Sequence, residues 1–259
     1  MHDFWERAAC GEELYLTGDD AYNHQARTRY ELEPYISSFA DFEATRDLRV
    51  LEIGVGLGAD HERFAAAGAN LSGIDLTRNA VEHTRARLER RGLTSDLRIG
   101  DAETLPFGDA QFDVVYSYGV LHHSPNTAAA VAEVHRVLKP GGIARIMIYH
   151  KRSFVGLMLW IRYGLLALKP FEPLASLYAQ HLESPGTKAY SVDEARRLFA
   201  WFSEVQISTE LTHGDLLTSA AGQRHTGLLL NFARKVWPRR LIRRFFPANG
   251  LHMLITAVK

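Results

Sequence analysis

The residues best suited to chemistry begin with Glu52-Ile53-Gly54-Val55-Gly56-Leu57-Gly58, which closes an apolar, β-branched run. Glycines in such a turn let the backbone fold back sharply and approach a ligand closely. The free amides of a helix starting there would face a molecule lying across the strand ends. Alone, the pattern is ambiguous, because Gly54, Gly56 and Ala59 also satisfy the dinucleotide fingerprint. Asp75 stands 21 positions after Gly54, where a carboxylate can accept hydrogen bonds from both ribose hydroxyls, a spacing that NAD enzymes share. Gly100-Asp101-Ala102-Glu103 narrows the choice. Asp101 could accept from an adenine amino group while the Ala102 amide donates to the ring. Carboxylates after three consecutive strands (Glu52, Asp75 and Asp101) are hard to obtain by accident.

A second set of reactive side chains, Tyr118, His122 and His123, follows the fourth apolar run. Any of them could act as a base toward a hydroxyl or activated carbon, and histidine titrates in the right range. The alternatives are a helix-capping role for His122 and a pocket-lining role for His123 without proton transfer. No metal is expected, because His122, His123 and His150 lack the ordered spacing of zinc or iron ligand sets. Upstream, Tyr15, Tyr22, Arg29 and Tyr30 fall in a helical pattern. Arg29 could grip a carboxylate through two parallel bonds, or pair with Glu33 one helical turn away.

The elements that must hold these groups alternate in an α/β manner. Strands are predicted near 48–53, 70–75, 96–100, 112–117, 142–149, 204–209 and 251–258. Helices are predicted near 77–91, capped by Thr77 and stopped by Gly92, and near 127–138, stopped by Lys139-Pro140-Gly141-Gly142. Another spans about 192–201, opened by the capping box Ser191-Val192-Asp193-Glu194. This is a doubly wound, mostly parallel seven-stranded sheet in one domain. Residues 1–47 form an N-terminal helical lid and 48–150 the ligand-binding core; the insertions 151–190 and 210–250 are expected to cover the substrate.

The core resembles the class I S-adenosylmethionine-dependent methyltransferases, in particular the small-molecule group related to ubiquinone and menaquinone biosynthesis. VLEIGVGLG, GIDL, GDAETLPF, FDVVYSYGVLHH and EVHRVLKPGG are similar to that family's successive motifs. The resemblance implies a Rossmann-like sheet whose last strand is antiparallel, with S-adenosylmethionine bound and S-adenosylhomocysteine released. It assigns the methionine portion to Gly54, Gly56 and Glu52, the ribose to Asp75 and the adenine to Asp101 with Ala102; Val55, Gly58, Leu76, Glu103, Ser117 and Arg29 are expected as further cofactor contacts. The implied reaction is methylation of O, N or C on a metabolite. Alternatives are attack at another carbon of the same cofactor, giving cyclisation or alkyl transfer, and an NAD-linked oxidoreductase. His-Leu-Glu-Ser-Pro-Gly-Thr-Lys-Ala-Tyr-Ser at 181–191 matches none of these motifs.

Composition sets the outer limits. The 259 residues carry 30 basic and 30 acidic side chains, so no overall charge draws the chain to nucleic acid. SYGVLHHSP also lacks the Asn/Asp-Pro-Pro-aromatic motif of enzymes that methylate extruded bases. The only concentrated charge is the basic, aromatic stretch 234–246, suited to a solvated helix face, an anionic or lipophilic substrate, or peripheral membrane contact. A lone cysteine, Cys10, and the lack of a leader-like N-terminus suit the cytoplasm. The apolar run Phe154–Leu168, broken by Arg162, is too short to span a bilayer and is expected to be a buried or lid helix.

Overall fold

A computed structural model describes residues 20–219 and 234–259. Tyr15, Cys10 and the middle of the second insertion lie outside the described residues. The strands are β1 (Arg49–Ile53), β2 (Asn70–Asp75), β3 (Asp96–Ile99), β4 (Phe112–Tyr118), β5 (Leu138–Tyr149), β6 (Glu204–Glu210) and β7 (His252–Val258). They form one sheet in the order β3-β2-β1-β4-β5-β7-β6, with β7 antiparallel to both its neighbours and the remaining pairs parallel. The strand order reverses between β1 and β4, which opens a crevice at their carboxyl ends.

Burial on both faces explains the near-continuous apolar runs of the central strands. Val50 of β1 and Val114 and Tyr116 of β4 point into a cluster with Ile36, Phe42 and Phe64. Leu51, Ile53 and Val115 point the other way, toward Val131, Val134, Val137 and Phe199.

The helices are α1 (Ala21–Leu32), α2 (Ile36–Ala40), α3 (Ala59–Ala67), α4 (Arg78–Glu89), α5 (Thr127–Val137), α6 (Phe154–Leu159), α7 (Leu174–His181), α8 (Val192–Leu198), α9 (His213–Leu216) and α10 (Arg239–Phe245). The expected caps form: Thr77 accepts from the Ala80 amide at 3.3 Å, and Ser191 with Glu194 makes both bonds of a capping box. The cap of α5 is Asn126, whose side chain accepts from Ala129, so His122 does not serve as one.

Two expectations change. Strand β5 starts at Leu138, which pairs with Phe112 before a register shift. The helix-stopping Lys139–Gly142 segment is thus a bulge inside the strand, with Gly141 at φ +77°. The apolar run 154–168 is only half buried. It forms α6 and a π-helical turn, Trp160–Leu165, with Leu159 in the core while Leu168 is 89% exposed. Among the described residues no helix is long and apolar enough to cross a membrane.

Asp215 fastens the two insertions to the sheet. Its buried carboxylate accepts from the amides of Thr212, Leu251 and Val155 and from the Thr212 hydroxyl.

Candidate active site at the carboxyl ends of the strands

The glycine turn lies at the mouth of the crevice. Gly54, Gly56 and Gly58 have φ of +83°, +53° and +74°, a region that favours glycine. A Cβ on Gly54 would lie 2.2 Å from the Val120 Cγ2, so the turn and the segment after β4 are in van der Waals contact. A Cβ on Gly58 would strike Thr84 of α4, so this glycine serves helix packing. Nothing lies within 4 Å of the same position on Gly56, which faces open space. Val55 is buried and Leu76 half-buried at the same rim.

The half-buried Asp75 at the end of β2 turns toward this glycine loop. Its Oδ2 accepts from the Gly56 amide at 3.1 Å, and its Oδ1 accepts from the Thr77 amide and hydroxyl. Strand pairing sets Asp75 against Ile99, so Asp101 emerges two residues later at the same edge of the sheet, with its carboxylate exposed. Asp101 also accepts from the Glu103 amide at 2.9 Å. A cradle with free space over Gly56 and acceptors on β2 and β3 fits an adenosyl ligand.

Other predicted cofactor residues have different duties. The Ser117 hydroxyl is fully buried and donates to the Ile53 carbonyl at 3.0 Å, tying β4 to β1 instead of lining the pocket. Glu103 accepts from the Asn126 amide, which anchors the start of α5, and half-buried Ala102 packs against the core. Glu52 is buried under the glycine turn, 2.8 Å from His61 Nδ1. That distance suits an ion pair, but the chemistry favours a neutral one. Ser95 Oγ donates to the Leu71 carbonyl, so it receives the His61 Nε2 proton at 2.8 Å. Burial pushes His61 down to about 3 and raises Glu52 well above the usual carboxylate range. Glu52 therefore keeps its proton and donates it to Nδ1.

Arg29 pairs with one of its two expected partners, Glu33, but its tighter contact is with Asp60. Its Nε and one terminal nitrogen donate to the two oxygens of Asp60, at 3.0 and 2.6 Å. Glu33 is 3.9 Å away. Tyr30 and Tyr116 donate to the same buried carboxylate at 2.9 and 2.8 Å. Burial alone would raise Asp60, but the Arg29 charge and these hydrogen bonds hold it below the ordinary carboxylate range. Asp60 opens α3 directly behind the glycine turn, so α1 is docked onto the crevice. Buried Arg87 fastens the other end of α1, donating to Glu62, Gln25 and the Leu57 and Tyr22 carbonyls.

Beyond β4, the chain makes a 3₁₀ turn, Leu121–His123, that buries both histidines. The His122 ring lies 4.2 Å from His123 and 4.0 Å from Tyr149 by ring centroids. Neither His122 nitrogen has a hydrogen-bond partner. Burial, reinforced by His123, His252 and Lys188, lowers its pKa well below the usual value, so the ring is neutral. Tyr118 does not suit the role of base. Burial, with Glu33 and Tyr35 adding to it, raises its phenol well above the normal range. Its hydroxyl lies 3.1 Å from His252 Nδ1, and the Arg29 guanidinium stacks over its ring at 4.8 Å.

Sequence reasoning missed the far wall of this region. The unassigned segment 181–191 folds over the histidines. The Lys188 amide donates to the His122 carbonyl, Ser184 and Thr187 meet His123 Nδ1 at 2.9 and 3.2 Å, and Glu183 Oε2 lies 3.3 Å from His123 Nε2. His150 takes no part, because its Nδ1 is directed at the Gly250 carbonyl. The clustered acid, hydroxyls and cation in 183–188 were the available signal, but their partners are about 60 residues away.

Comparison with known proteins agrees with this geometry. Residues 51–146 match a family model described as a methyltransferase domain. Ubiquinone biosynthesis O-methyltransferase of Thiobacillus denitrificans is 34% identical over 122 residues, 46% of this chain and 53% of that protein. The 24-methylenesterol C-methyltransferase 2 of Oryza sativa subsp. japonica is 38% identical over 98 residues, 37% of this chain and 27% of the other. The chain spans about half or less of the length of these relatives. An S-adenosylmethionine-dependent methyltransferase from Mesorhizobium loti shares the fold, with a TM-score of 0.55 at 15% identity, over 87% of this chain and 97% of that one. The match to a methyltransferase domain over 51–146 thus spans most of β1, the glycine turn, the strands β2, β3 and β4, and most of β5.

Proposed function

We propose that this chain methylates O, N or C on a small-molecule acceptor, with S-adenosylmethionine as donor. The observation that carries the reading is the convergence of Asp75, Asp101 and the open face of Gly56 at one edge of the sheet. Asp75 would hold the ribose, Asp101 with the Ala102 amide the adenine, and the amides of the glycine turn the methionine portion. The bound cofactor supplies an electrophilic sulfonium methyl. The protein's remaining task is to align a nucleophile and exclude water. Val120, against the glycine turn, and buried Leu121 close the crevice on the acceptor side. His122 or its neighbour His123 would receive an acceptor proton, and protonated Tyr118 would donate a hydrogen bond.

The two insertions serve as the acceptor cover. A lipophilic acceptor, or peripheral contact with a membrane, is supported by the exposed Leu165, Leu166, Leu168, Phe171, Phe245 and Phe246 together with the arginines of α10. Calorimetric titration with S-adenosylhomocysteine and with NAD tests the donor. Binding of NAD without S-adenosylhomocysteine would overturn the reading. Mass spectrometry after incubation with phenols, carboxylates, amines and quinone precursors tests the acceptor, with methylated product and S-adenosylhomocysteine expected together.

A further inference from the structure

We propose that His122, His123 and Glu183 form a binding site for one divalent cation of the zinc class. Each side chain can offer one ligand atom, and these atoms lie within 4.8 Å of one another. His123 Nε2 and Glu183 Oε2 are 3.3 Å apart, about the ligand–ligand separation around a tetrahedral ion with bonds of roughly 2.0–2.1 Å. Two imidazoles and one carboxylate leave a position open to water or an acceptor oxygen, the arrangement found in catalytic zinc sites.

Two independent features point to a cation. His122 is wholly buried, yet neither ring nitrogen has a hydrogen-bond partner. A buried polar group without a partner is costly, and coordination would satisfy it. The surroundings of His123 also orient it as a ligand. The Ser184 and Thr187 hydroxyls hold His123 Nδ1 at 2.9 and 3.2 Å, which turns Nε2 toward Glu183. His123 Nε2 therefore lies 3.3 Å from the Glu183 carboxylate. With Nδ1 held by the hydroxyls, Nε2 is placed to join the Glu183 carboxylate on a shared cation. Tyr149 donates to Glu183 Oε2 at 2.7 Å, the kind of outer contact that fixes a metal-binding carboxylate. The Glu183 side chain, 27% exposed, gives the site its opening to solvent.

The inference does not depend on the cofactor reading. Titration with S-adenosylhomocysteine probes the glycine turn and Asp75, whereas metal titration probes the histidines, and either can fail alone. The full chain, stripped with a chelator, is titrated with Zn²⁺ against a chromophoric competitor. Co²⁺ is then added to report nitrogen and oxygen coordination by its visible spectrum. One tight equivalent is expected in the native chain. His123→Asn should abolish it, and Glu183→Gln and Tyr149→Phe should each weaken it by at least about tenfold. Circular dichroism establishes that each variant is folded; if His123→Asn does not fold, partly exposed Glu183→Gln decides. No binding by the native chain would overturn the proposal. So would equal affinity in folded Glu183→Gln, since the 12 histidines of the chain can hold zinc adventitiously.

Discussion

Replacing Glu52 with glutamine should remove an alkaline weakness from this protein without disturbing its packing. The carboxyl keeps its proton when folded, because burial raises its pKa, while His61 stays neutral down to about 3. Unfolded, the two groups titrate near 4.5 and 6.5. Between those values each state holds one proton, so the pair gives stability no slope. Above pH 6.5 the unfolded chain has released both protons and the folded chain still holds one. Stability must then fall by about 1.4 kcal/mol per pH unit, for as long as Glu52 remains protonated. Below 4.5 the unfolded chain holds two protons against one, and stability falls again on acidification. For a chain of this size the alkaline slope corresponds to about 3–5 °C of melting temperature per pH unit. Glutamine can donate from its amide to His61 Nδ1 and carries no titrating proton, so Glu52→Gln should flatten this limb. Thermal melts of both proteins across pH 6 to 9 measure it. Parallel curves would refute the reasoning, since they would mean that Glu52 is ionised beside a neutral histidine when folded.

Gly54→Ala places a methyl 2.2 Å from Val120 at a φ of +83°, and should cost about 2–5 kcal/mol in urea unfolding; a loss under about 1 kcal/mol would mean that the turn is softer than its geometry implies. Asp60→Asn leaves the Arg29 guanidinium without its anion and should destabilise by about 3–5 kcal/mol by the same measurement. Because Asp60 is held below 3.8, its contribution is complete above that pH and fades as pH falls through the lower folded value. Stability of Asp60→Asn should therefore approach that of the native chain in acid. Asp75→Ala removes two charged acceptors from a ribose and should weaken S-adenosylhomocysteine binding about a hundredfold or more by calorimetry; unchanged affinity would remove Asp75 from the site.

The sheet was legible because its signals are local. The β-branched runs, Thr77 and the Ser191–Glu194 box each determine structure within a few residues. The glycine turn was legible for the same reason, since a turn, a strand end and a carboxylate recur at short, fixed spacing. What sequence did not disclose depends on partners brought together by folding. Glu52 is neutral only because β1 and α3 enclose it with His61, and Arg29 is engaged because Asp60 opens α3 beneath it. Tyr118 is a plausible base on composition but not at its observed depth. Glu183 could not be joined to His123 without knowing that 181–191 lies across the turn after β4. The start of β5 was obscured because Pro140 and two glycines read as a stop while occupying a bulge.

The position of β7 bears on the order of events during synthesis. Its neighbours are β5, completed at residue 149, and β6, completed at 210, and among the described residues β6 has no other strand beside it. A ribosome that has delivered Glu210 has therefore made a strand with nowhere to dock, while the five parallel strands already have theirs. The nucleotide half can consolidate early. The chain beyond β5 must wait until 252–258 slide between their neighbours, so nascent chains halted before that point should retain protection across 49–149 but yield to protease across 151–219.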